Sequence, residues 1–201
     1  MLGQRRLGRE PAVGAVDPAR DGLAQVGGHP AVEHVTVVHS PMIQAMTDHC
    51  DCGAPAGPLG RCADYYYAIL AEEQADPDMY RWHNPVVCSY LLQHPAEGHA
   101  KHFDVQFRWL QLLLDQGVDA VVRVAAHQVA RNRHTSRQGY DMTPFETYAP
   151  LPPGAAATGF RASFSALPVV GGSFVFDGAE AYGRRVEAIA AATVERLSGR
   201  T

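Results

Sequence analysis

Residues 103–117 read FDVQFRWLQLLLDQG. Apolar side chains recur at Phe103, Phe107, Leu110 and Leu114, three or four positions apart. That is the repeat of one helical face, whereas a half-buried strand would alternate every second residue. Gly117 follows as a C-terminal cap, since glycine takes the backbone geometry that ends a helix without steric cost. The spacing therefore predicts a helix whose Phe103, Phe107, Leu110 and Leu114 form one buried stripe.

The segments on either side read the same way. Downstream, Val121, Val122, Val124, Ala125 and Val129 predict a helix to about Arg131. Residues 132–160 are loop-like, and FRASFSALPVV (160–170) and SFVF (173–176) read as short extended pieces. Asp177 is then expected to cap a last helix carrying Val186, Ile189, Ala190, Val194 and Leu197 on one face. Upstream, Asn84-Pro85 reads as a cap followed by proline at the first helical position, a device used again at Asp76-Pro77, and opens a short helix, VVCSYLLQ, from Pro85 to about Gln93. Pro95 stops it, because proline disfavours helical geometry in the residue before it. Asp76-Pro77 is a cap followed by proline at the first helical position, giving a short helix with Met79, Tyr80 and Trp82. Another begins at about Asp64, with Tyr66, Tyr67, Ile69 and Leu70 as apolar surface. The expected fold is mainly α: a compact bundle of five or six helices, some short, with an N-terminal cysteine-containing loop packed on one end.

Residues 1–45 differ. They are rich in glycine, proline, arginine and alanine, with no sustained period, and are expected to form a disordered tail. Met42 and Met46 are alternative starts. Residues 46–201 are expected to form one helical domain. The formal net charge of −4 argues against a nucleic-acid binder, which needs a basic face, and gives no reason for binding an anionic membrane. No run of 18 apolar residues suggests a membrane span. MLGQRRLGRE lacks the apolar stretch of a secretory signal. A cytoplasmic location with reduced thiols is expected, so the four cysteines read as ligands or inert core thiols rather than a disulfide framework.

Three of those cysteines lie in HCDCGAPAGPLGRC, residues 49–62. Zinc takes four soft or borderline ligands in a tetrahedron, and short Cys/His spacings in a turn supply some of them from one knuckle. His49-x-x-Cys52 has the usual two-residue gap, Cys50-x-Cys52 is one residue tighter, and Gly53 suits the turn. Cys62 is a third candidate. The remaining ligand must come from elsewhere, with His83 and His94 preferred because each sits at the end of a short helix. Cys88 is the reserve candidate, although a mid-helix cysteine is more often a small buried hydrophobe. The plain alternative is a loop holding reduced thiols. A thioredoxin-like redox site is disfavoured, because C-x-C is not C-x-x-C and no βαβ unit is present.

The order of these pieces carries a resemblance. A cysteine knuckle ending at Cys62 leads into DYYYAILAEE, an aspartate-proline step, His83, VVCSYLLQHP, an apolar helix ending LLLDQG, and GSFVFDG before the last helix. This order resembles a family of short bacterial proteins of unknown function over roughly residues 50–197. The most specific part is Tyr90, Gln93, His94 and Pro95. The resemblance implies a shared fold and surface and no reaction. The family pattern has an acidic residue where this chain has Cys88 and a histidine where it has Gln106. A catalytic centre built on those two groups would be lost or changed here.

His83, His94, His99 and His102 form a second constellation. His99 and His102, three positions apart, can share a helical face, and such a set could hold a catalytic metal with a bound water. No H-E-x-x-H motif is present, and Ala100 and Lys101 lie where a glutamate base would stand. Nucleophile-elbow, P-loop and dinucleotide-binding glycine motifs are likewise missing. The aromatic residues between Tyr65 and Trp109 are too many for all to be core, which leaves some for a small-molecule or protein-binding surface, although core packing is the ordinary reading for most of them. Two functions compete: a small helical binding or accessory module with a structural zinc, and a metal-dependent hydrolase using the His83–His102 group.

Overall fold

The helices follow the punctuation of the sequence closely. In the computed structural model, which describes residues 49–134, 139–155 and 158–199, six α-helices occur: α1 (Cys62–Glu73), α2 (Pro77–Tyr80), α3 (His83–Gln93), α4 (Ala100–Gln116), α5 (Val118–His134) and α6 (Ala179–Leu197). Among the described residues there is no strand, only isolated bridges at His49–Pro55, Gly57–Gly60 and Val170–Ser173. The mainly α architecture is as the hydrophobic spacing indicates. The expected tail and the alternative starts lie outside the described residues.

Asp76 caps α2 as its type and place require. Its carboxylate accepts from the amides of Asp78 at 2.8 Å and Met79 at 3.4 Å, with Pro77 at the first helical position. α3 ends at Gln93, immediately before His94-Pro95. Asn84-Pro85, however, is not a repeat of the Asp-Pro device. α3 begins at His83, and Trp82 occupies the capping position. Pro85 therefore lies in the first turn, where amides have no intrahelical acceptor and a missing N–H costs little.

α3 packs on α4 and α6, and α4 packs on α5 and α6. Because α4 meets neighbours on several sides, its buried surface is wider than a single stripe. Val105, Phe107, Trp109, Leu110, Leu112 and Leu113 are buried. Phe103 only flanks the core, and Leu114 is 42% exposed, which corrects the four-residue stripe. The polar side of α4 holds the loop that follows α5. The Arg108 guanidinium donates to the carbonyls of Phe145 (2.9 Å) and Tyr148 (2.6 Å), while Asp104 accepts from the Leu151 amide at 2.9 Å. Gln111 exchanges two hydrogen bonds with the Ala149 backbone. Long loops must place their backbone groups somewhere, and here α4 side chains receive them.

Two further expectations change. Residues 164–166 form a 3₁₀ turn rather than an extended piece, with Phe164 buried among aromatic rings. Asp177 does not cap α6; Gly178 does, at φ +96°. Asp177 instead takes Arg185 through both carboxylate oxygens at 2.7 and 2.8 Å. That guanidinium holds its carboxyl below the usual range.

Candidate metal centre

The cysteine loop is shaped by two turns. In the first, the Cys50 amide donates to the Ala54 carbonyl at 2.7 Å and the Gly53 amide to the Cys50 carbonyl at 2.8 Å. Gly53 sits at φ +88°, a left-handed geometry that side-chain-bearing residues rarely adopt. In the second, Gly57 and Gly60 exchange backbone hydrogen bonds at 2.8 and 2.9 Å. The chain then enters α1, and the Asp64 carboxylate accepts from the Arg61 amide at 2.7 Å. The acidic side chain thereby satisfies a donor at the helix start. These turns bring Cys50 and Cys52 back over Cys62 in the first turn of α1.

His94, at the C-terminal cap of α3, completes the group. The Sγ atoms of Cys50, Cys52 and Cys62 and a ring nitrogen of His94 all lie within 4.8 Å of one another. Cys52 Sγ is 3.7 Å from Cys62 Sγ, and Cys50 Sγ is 3.3 Å from His94 Nε2. Bonds of 2.3 Å to sulfur give a zinc tetrahedron S–S edges of about 3.8 Å, so the cysteine pair already has that spacing. Cys52, Cys62 and His94 are buried and Cys50 is half-buried. All four cysteines are free thiols.

The ring of His94 is fixed on both faces of the problem, orientation and tautomer. Its Nδ1 is 2.9 Å from the Tyr90 carbonyl. A carbonyl only accepts, so Nδ1 carries a proton and, in the neutral ring, Nε2 keeps its lone pair toward the thiols. Metal-binding histidines commonly donate their other nitrogen in this way. The ring also stacks on Tyr90 at 4.4 Å, and Tyr90 stacks on Tyr66 at 3.8 Å with planes 1° apart. Phe164 meets both tyrosines edge-on. The Tyr90 hydroxyl donates to Glu97 at 2.8 Å.

The four residues singled out in the sequence thus divide the work. Tyr90 orients the imidazole by ring and by carbonyl, His94 points into the cluster, and Pro95 ends α3 there. Gln93 anchors that helix end, donating to the Thr193 hydroxyl at 2.9 Å and the Ala162 carbonyl at 3.0 Å.

Electrostatically, the cluster holds negative charge in a buried place. A hydrogen bond from Cys52 holds the Cys62 thiol down at about 3, against the upward push of burial, with help from His94 and Ser165. Cys52 is correspondingly raised, by that shared bond and by burial, so the pair shares one proton. For His94, burial pushes down but is outweighed by hydrogen bonds to Cys62 and the Tyr90 carbonyl and by the charge of Cys50. The ring is raised to about 9. Protons on His94 and Cys52 therefore balance the thiolate charge, and a bound cation would replace them.

Other candidates lie apart from this group. The buried thiol of Cys88 is pushed up by desolvation, as expected of an inert core cysteine. His49 is exposed beside its bridge to Pro55. His83 pairs through Nδ1 with Glu73 at 2.8 Å. The His99 and His102 rings are 6.2 Å apart near Tyr140. Among the described residues, the Cys50–Cys52–Cys62–His94 set is the group of histidine, cysteine and acidic side chains that could hold a metal.

Ser165 is a contributor that no local pattern announced. Its hydroxyl lies 3.5 Å from Cys62 Sγ and donates to the Pro55 carbonyl at 2.7 Å. The Cys52 carbonyl accepts from Gly159 at 2.9 Å. Both partners come from more than 100 residues downstream, beyond the reach of motif spacing.

Three sulfurs and one imidazole are the donors preferred by zinc and other thiophilic metals, not by magnesium or calcium. Four protein ligands fill a tetrahedron and leave no position for substrate. No helix among the described residues is long and apolar enough to cross a membrane. No curated protein and no solved structure matches the chain. A family model does, over residues 47–198, so the cysteine cluster and the whole described helical fold lie within the match. The chain therefore belongs to the family of unknown function designated DUF5946.

Proposed function

We propose that the protein is a non-catalytic helical module, a binding or accessory protein of a reducing, cytoplasmic compartment, whose cysteine loop is held by one structural zinc. Cys50, Cys52, Cys62 and His94 are its ligands. The observation that carries this reading is the convergence of four soft or borderline donor atoms within 4.8 Å, the imidazole being pre-oriented by the Tyr90 carbonyl. The physical need is also visible. Residues 53–60 contribute little apolar burial, with Gly53, Pro55, Ala56, Pro58 and Leu59 exposed, and ordering each backbone residue costs about 1–2 kcal/mol. A site that exists only in the folded chain turns metal affinity into folding free energy. Reduced thiols are required for that role.

The test is elemental analysis of the full chain with single substitutions. The purified protein should hold one zinc per chain. Cys52→Ser and His94→Gln should each lower the content below about a tenth. His99→Ala and His102→Ala should leave it unchanged, which separates this reading from a hydrolase built on the other histidines. Full metal content in the Cys52→Ser and His94→Gln variants would refute the ligand set.

A further inference from the structure

A second site lies around Glu73 and His83, and it does not depend on the metal reading. Glu73 ends α1 and is 1% exposed. A buried carboxylate is expensive unless paired, and its partner here is a histidine rather than an arginine or lysine: His83 Nδ1 at 2.8 Å. The Tyr182 hydroxyl also approaches the carboxylate. His83, at the start of α3, keeps about a third of its side chain exposed while that of Glu73 is fully covered. Its outward edge forms part of the wall of a groove of about 460 Å³ between the α2–α3 corner and α5.

With Nδ1–H donated to the carboxylate, the neutral ring presents the Nε2 lone pair as an acceptor. Nε2 makes no hydrogen bond among the described residues. Apart from Arg81 and Asn84, the rest of the groove lining is apolar. Tyr80 stacks on the His83 ring at 5.2 Å with planes 13° apart, and Val122, Ala125 and Val129 of α5 face it. Tyr80 is 51% exposed, Val122 41% and Val129 52%, a cost in apolar surface that a ligand would remove. The nearby cation, Arg81, is neutralised by its ion pair with Asp119, so the groove offers no free positive charge for an anionic group.

An oriented acceptor, a stacked aromatic ring beside aliphatic side chains, and no uncompensated cation specify an uncharged ligand with one hydroxyl on an apolar ring. We propose that this groove binds a small phenol-type molecule, its ring against Tyr80 and the α5 valines and its hydroxyl donating to His83 Nε2. Glu73 is the positioning residue that fixes the histidine tautomer.

The probe is p-cresol, titrated into the full chain and followed by long-range ¹H–¹⁵N correlations of the histidine rings. His83 should show the Nδ1–H tautomer before ligand, and its Nε2 signal should move saturably on titration. 4-Methylanisole, which has the ring but no donor, should bind at least about tenfold more weakly, the usual effect of one hydrogen bond to an otherwise unpaired acceptor. Ala126→Trp, at an exposed position on the groove wall, should abolish binding without disturbing the fold. Glu73→Gln should lose the tautomer preference and weaken binding about tenfold; if that variant does not fold, Ala126→Trp and the anisole comparison decide. No saturable shift with p-cresol, equal affinity for the anisole, or undiminished binding in Ala126→Trp would overturn the proposal.

Discussion

Replacing Gly57 by alanine tests how tightly the cysteine loop is seated. A Cβ at this position would lie 2.2 Å from the Ser165 carbonyl oxygen and 2.3 Å from the Tyr65 hydroxyl. Ordinary contacts of this kind need about 3.4 Å or more, so one side must move by about 1 Å. Neither moves easily. Tyr65 is fully buried, its ring edge-on to Phe174, and Ser165 is tied to the Pro55 carbonyl at 2.7 Å. Overpacking of this kind costs about 1–3 kcal/mol. Weakening the Ser165–Pro55 bond, or that from the Leu59 amide to the Tyr65 hydroxyl at 3.3 Å, adds about 1 kcal/mol. The expected loss is about 2–4 kcal/mol, or roughly 4–16 °C in Tm for a domain of this size. Denaturant unfolding of the full chain measures it. Adding Tyr65→Phe removes one of the two clashes but not the other, so the double variant should recover only part of the loss relative to Tyr65→Phe alone. A change below about 0.5 kcal/mol for Gly57→Ala would refute the close approach of the loop to the 164–166 turn.

Phe107→Ala should cost about 3–5 kcal/mol, the range for emptying an aromatic core position, whereas exposed Leu114→Ala should cost under about 0.5 kcal/mol; paired urea titrations check the contrast. Zinc affinity should rise with pH. His94, raised to about 9, and Cys52, raised by its bond to Cys62 and by burial, both hold protons at neutral pH. Metal must displace at least these two, so the association constant should increase by at least about a hundredfold per pH unit between pH 6 and 8. Competition titration with a chromophoric chelator gives the slope, and a pH-independent constant would contradict the ligand assignment. Tyr90→Leu should lower zinc affinity while leaving all four ligands in place, because the stacked ring that orients the imidazole is gone; losses of about 10–100-fold are usual for supporting groups. Affinity equal to that of the unaltered chain would show that the stack plays no part.

The helices were legible because each has a local cause. Asp76-Pro77 starts α2 by its own carboxylate and ring, and Pro95 ends α3 wherever the bundle lies. Where packing decided, local reading failed. Leu114 fits the helical period as well as Leu110 does, yet α4 has neighbours near one and not the other, and only the assembled bundle distinguishes them. Asp177 has the right chemistry for a cap, but its carboxylate is taken by Arg185, two turns along.

The site divides in the same way. Cys50, Cys52 and Cys62 are close in sequence, and the turns at Gly53 and at Gly57–Gly60 gather them. His94 and His83 were equivalent in the sequence, each at a helix end. The structure separates them by what each ring meets, a carbonyl one turn back and the thiols for His94, a buried glutamate for His83. Nothing in the residues around Glu73 signals that it would be buried, since the residue before it, Glu72, binds the Ser173 hydroxyl and the Phe174 amide in a half-exposed position.

X-ray absorption at the zinc edge of the purified full chain tests the central claim most directly. The account predicts one zinc per chain in a four-coordinate shell of three sulfurs at about 2.3 Å and one imidazole nitrogen at about 2.0–2.1 Å. Protein without stoichiometric metal, or a shell with two or fewer sulfurs and a bound water, would contradict it.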